Sequence, residues 1–72
     1  LEVDLISTLG QERVAYEIKS GNTFNPSYFD GLKKWAALSG TPSDRLAVVY
    51  GGETSFQTSS GKVISLQNNF DI

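Results

Sequence analysis

The 72-residue chain contains no cysteine, no histidine and no methionine. Without cysteine there is neither a disulfide nor a thiolate zinc site, so the usual staples of a small fold are absent. Without histidine, the Ser-His and Cys-His nucleophile pairs and imidazole metal ligation are excluded together. Carboxylate and lysine chemistry remain. No apolar run approaches the roughly eighteen residues of a membrane span, and no signal peptide is visible, so the expected compartment is cytoplasmic with no membrane partner. A net charge of −2, from eight acids and six bases, argues against a generic electrostatic grip on nucleic-acid phosphates. A chain of this size makes one domain, residues 1–72, and buries only about 60% of its unfolded surface, so its core is marginal. It opens on Leu1, with Glu2 and Asp4 close behind, and is read as a piece of something longer.

What is present is organised around one alternating stretch. Glu2-Val3-Asp4-Leu5-Ile6 and Val14-Ala15-Tyr16-Glu17-Ile18-Lys19 both alternate polar and apolar residues with period two, and together they predict a hairpin. With Gly10 and Gln11 as the central turn residues, Glu2 lies opposite Lys19, Asp4 opposite Glu17 and Ile6 opposite Ala15. All six share one face.

Two carboxylates directly opposite one another repel, so this register calls for a cation between them. A divalent metal would serve, because Mg²⁺ is held by one or two carboxylates with water and phosphate oxygens completing its shell. Lys19 points a second cation at the same spot. The same residues also read as the solvated positions of a wet antiparallel face, with Lys19 partly neutralising both acids. On spacing alone the motif is weak.

Further along, Ser20-Gly21-Asn22-Thr23 is a turn, and Asn25-Pro26 starts a helix that runs to Gly40. Tyr28, Leu32, Trp35, Ala36 and Ser39 form its apolar stripe, with Phe29 on the flank and Asp30 pairing with Lys34 on the outer face. Gly31 in the helix marks either close packing or simple tolerance, at a cost of about 1 kcal/mol against alanine. The aromatics read as core, with Tyr28 the one expected to stay partly exposed, and Lys33 and Lys34 as a solvated face whose functional alternative is phosphate contact. Thr41 to Asp44 is a loop, and the apolar run Arg45 to Tyr50 predicts a strand covered on both faces, parallel to Val14–Lys19 through a right-handed crossover. Glu53 to Gln67 alternates again as a second hairpin at the sheet edge, turning at Ser59-Ser60-Gly61 and ended by Asn68-Asn69. Gly51-Gly52 lacks the lysine and hydroxyl residue of a phosphate-binding loop and reads as a bend.

The expected fold is therefore α/β: a mixed sheet of about five strands in the order β-β-α-β-β-β, with one main helix. Nothing covers the face carrying Ile6 and Ala15, where either a helix from upstream or a second copy of the chain should pack.

Asp4 on one strand and Glu17-Ile18-Lys19 on the next, followed by a helix and a parallel strand, resemble the core of the PD-(D/E)XK nuclease-like superfamily, here truncated. More narrowly, Glu2 to Ile6, Glu17-Ile18-Lys19-Ser20-Gly21, Phe29-Asp30-Gly31-Leu32-Lys33-Lys34 and Val49-Tyr50-Gly51-Gly52 look like the C-terminal end of a bacterial and archaeal family of P-loop (AAA-type) ATPases of uncharacterised function. The resemblance implies that Asp4, Glu17 and the Ile18 carbonyl bind Mg²⁺ or Mn²⁺ and that Lys19 orients or activates the attacking water, giving metal-assisted hydrolysis of DNA or RNA. It places ATP only in a part upstream of this chain. Two departures stand out: the superfamily's first helix is missing, and its proline-aspartate step reads Val3-Asp4. The alternative is a non-catalytic interaction or assembly domain of the ATPase, and the fragment by itself is expected to be inactive.

Overall fold

The chain is described by a computed structural model at residues 4–9 and 12–69. The expected pairing of Glu2 with Lys19 and the Gly10-Gln11 turn lie outside those residues. Alternation of period two gives an antiparallel pair, β1 (Leu5–Leu9) and β2 (Glu12–Lys19), with Ile6 opposite Ala15 and Leu9 opposite Glu12.

Asn25 caps the next element: its Oδ1 accepts from the Ser27 N–H at 2.9 Å, and Pro26 has no N–H to leave unpaired. The first turn, Pro26–Phe29, is a 3-10 helix that continues as α1 (Asp30–Ser39). Phe29, the last residue of that turn, and Leu32 in α1 are three apart and share one face. Phe29, expected on the flank, is accordingly buried with Leu32 at the centre of the core, while Tyr28, Trp35 and Ala36 pack partly buried around them. Ser39 leaves the stripe and hydrogen-bonds Thr41 at 2.7 Å. Gly40, at φ 72°, takes the left-handed conformation that ends α1.

The crossover returns as β3 (Leu46–Tyr50), parallel to β2, with Ala15, Glu17 and Lys19 beside Leu46, Val48 and Tyr50. The second hairpin follows as β4 (Phe56–Thr58) and β5 (Gly61–Ser65). The strand order is β1-β2-β3-β5-β4, so β5 lies inside, parallel to β3, and only β4 reaches the edge. Alternation does not continue to Gln67: the Ser65 hydroxyl accepts from the Gln67 N–H at 3.1 Å, and this cap turns the chain into a single helical turn, α2 (Leu66–Asn69). The protein is thus α/β, with a mixed five-stranded sheet and one main helix.

The two faces of the sheet differ. Toward α1 point Ala15, Glu17, Leu46, Val48, Tyr50 and Val63, all buried. On the far side lie Val14, Tyr16, Val49 and Ile64, half-buried, and Ile18, 49% exposed. The expected open face is corrected in part: Ala15 is fully buried beneath α1, while Ile6, on the same face at the β1 edge, stays 45% exposed, and the far face carrying Ile18 is uncovered too. Ala47 on that side is buried without an element above it, because it is small and sits between Tyr16 and Lys62 on the flanking strands. Among the described residues no helix is long and apolar enough to cross a membrane.

Candidate functional site

Three residues meet at the end of β2. Asp4 precedes β1, and its main chain follows the strand only in part: its N–H donates to the Tyr16 carbonyl at 3.1 Å. Its side chain does the rest, with Oδ2 accepting the Ile18 N–H at 2.8 Å. A carboxylate therefore takes the place of a main-chain acceptor, and this fixes it beside Glu17. In a strand the N–H and C=O of one residue point to the same neighbour, so the Ile18 carbonyl is directed to the edge where Asp4 sits.

Glu17 is 5% exposed, which rules out the solvated reading for this residue. Lys19, two positions on and so on the same face, places Nζ 4.0 Å from Glu17 Oε2. The same Nζ lies 5.4 Å from the centre of the Tyr28 ring, a cation–π contact. Tyr28 is held in turn by its hydroxyl, which donates to the Thr23 carbonyl at 3.2 Å. Gly51 supports the loop after Lys19, its N–H donating to the Gly21 carbonyl at 2.8 Å. A Cβ at Gly51 would stand 2.8 Å from the Ser20 carbonyl oxygen, so only glycine permits this approach.

The Asp4 carboxyl is held below its ordinary value of 3.8, first by the Ile18 N–H, then by a hydrogen bond with Glu17, with the Lys19 charge adding to both. Lys19, 4.0 Å from Glu17 and adding its charge to the lowering at Asp4, offsets the repulsion between the two carboxyl groups.

Asp4, Glu17 and Lys19 therefore do come together. Two carboxyl groups and a main-chain carbonyl are a hard oxygen set that fits Mg²⁺ or Mn²⁺, which keep the rest of their shell for water and phosphate. Among the described residues no group of three or more His, Cys, Asp or Glu side chains that could hold a metal ion is present, so a metal here would have only the carboxyl pair and the Ile18 carbonyl from the protein.

Beside the pair opens a cleft of about 360 Å³, lined by Glu17, Lys19, Ser27, Tyr28, Asp30, Gly31 and Lys34. Sequence reasoning placed Asp30 and Lys34 in an outer-face ion pair. They form none, and both border the cleft. Ser27 and Tyr28 were legible only as helix start and core aromatic. The signal that could have found them is the Asn25-Pro26 start, which sets this turn against the end of β2.

The profile of a family described as a domain of unknown function, DUF4143, matches residues 1–68. No curated protein and no solved structure matches the chain. With nearly its whole length matched, the chain belongs to the DUF4143 family.

Proposed function

We propose that this domain is the nuclease-like C-terminal part of a P-loop ATPase, working in the cytoplasm as a metal-dependent phosphodiesterase on DNA or RNA. The observation that supports this reading is the buried Glu17 carboxyl in hydrogen-bond contact with Asp4 and within 4.0 Å of Lys19, at the lip of a cleft. Burying an acid beneath α1 costs stability, so its place there favours a role for the carboxyl.

In this reading Asp4, Glu17 and the Ile18 carbonyl would hold Mg²⁺ or Mn²⁺, which would supply polarisation of the phosphodiester and a water of lowered pKa. Asp4 is ready for that role because its charge is maintained by the Ile18 N–H. Glu17 is kept in place by burial, and Lys19, steadied by Tyr28, presents its ammonium to the attacking water and to developing charge. The test is thermal unfolding under Mn²⁺ titration. A saturable rise in Tm, lost in Asp4→Ala, supports the reading, since a ligand bound only by the native state stabilises it. No rise at millimolar Mn²⁺ counts against it.

A second reading is favoured by a different observation. The open face carries the apolar Val14, Tyr16, Ile18, Val49 and Ile64, interrupted by Lys62, and an assembly domain that self-associates would use it. Sedimentation at high concentration tests this, with a clean monomer as the contrary result.

A further inference from the structure

The nuclease-like reading leaves open what the cleft holds, and the inference here rests on that reading. We infer that the cleft seats one phosphodiester of a single-stranded nucleic acid, with Lys34 and the Ser27 hydroxyl as its phosphate-binding groups.

Lys19 is already engaged, its ammonium shared between Glu17 and the Tyr28 ring. Lys34 is the other cation of the cleft. It sits one helical turn after Asp30, the spacing at which acid and base pair on a helix, yet the two form no ion pair and both face the cleft. The Ser27 N–H is taken by Asn25, while its hydroxyl makes no hydrogen bond among the described residues and borders the same space. Gly31 leaves that wall without a side chain, so a phosphate can approach the helix.

Size and charge set the substrate class. About 360 Å³ lies at the low end of small-molecule sites and has room for one nucleotide. Duplex binding draws on many phosphate contacts over a broad positive surface, and a chain of net charge −2 offers two lysines here, opposed by Asp30 and Glu17. An unpaired strand can bend one phosphate into the cleft. Asp30 then acts as a brake on affinity.

The experiment is fluorescence anisotropy of a labelled twelve-residue oligothymidylate, with oligouridylate as a second arm, in Mn²⁺ at several salt concentrations. Lys34→Ala, at an exposed position that leaves the core alone, should weaken binding roughly three- to tenfold and reduce the salt slope by about 0.7, the value for one contact to a single strand. Lys33→Ala, beside it on the helix but outside this cleft, should change neither. Asp30→Asn should tighten binding. Equal losses in Lys33→Ala and Lys34→Ala, an unaltered Lys34→Ala, or a duplex binding as tightly as the strand overturns the inference. Mn²⁺ binding measured separately on the same proteins keeps the two readings apart: its absence in the natural chain sinks the metal site, while a metal site unchanged by Lys34→Ala with strand affinity also unchanged sinks only the phosphate seat.

Discussion

The two faces of the sheet are built from the same three central strands and have opposite fates. One face carries small and branched apolar residues under α1, and in their midst the acid Glu17; the other carries Val14, Tyr16, Ile18, Val49 and Ile64 with no helix above them. Along β2 burial follows contact with α1, not hydrophobicity: Ile18 is 49% exposed while its neighbour Glu17 is 5% exposed. An acid inside and an isoleucine outside, adjacent on one strand, invert the usual ranking. On the proposed reading, that inversion assigns the chemistry to the covered face and leaves the open face for a partner.

The widest gap between the faces should appear in Leu32→Ala. Leu32 is fully buried against the covered face, and its truncation should cost about 2–5 kcal/mol, enough to unfold much of so small a domain. Urea unfolding reads this directly. Next comes Glu17→Leu, which replaces a buried acid by an apolar side chain of similar bulk. Stability should hold or rise by about 1–2 kcal/mol while Mn²⁺ binding disappears, because buried ionisable groups are retained at a cost to stability. On the open face Ile18→Ser should alter monomer stability by no more than about 0.5 kcal/mol, as for a surface site. Its effect should appear instead as weaker self-association in sedimentation.

The smallest effect is the acid limb. A carboxyl whose folded pKa lies below 3.8 binds its proton less readily when folded than when unfolded. The stability it contributes is present above that value and is lost as the pH falls through the lower folded value. Asp4→Asn should therefore flatten the decline in stability below about pH 4 in urea titrations, if only slightly for an exposed group.

Much of this was legible in the sequence. Period-two alternation and the Gly10-Gln11 break gave the β1–β2 register, Asn25-Pro26 and Gly40 bounded the helix, and the Leu46–Tyr50 run ordered the parallel strand. The convergence of Asp4, Glu17 and Lys19 followed from that register. The side of the sheet that α1 covers did not, because both sides of β2 carry apolar residues and alternation alone does not say which is inside. Phe24, which meets the rings of Tyr28, Phe29, Tyr50 and Phe56 edge-on, lies in an irregular stretch with no period to reveal it. Val63 was likewise hidden beside Ile64, where two adjacent apolar residues leave the facing ambiguous.

The claim that Asp4 and Glu17 act as a single metal site is tested most directly by a double-mutant cycle on Mn²⁺ affinity, using Asp4→Asn, Glu17→Gln and the double variant. Each single change should lower affinity at least tenfold, and the double variant should bind no more weakly than the worse single one. Losses that simply add, or single variants that bind as the natural chain does, would contradict it.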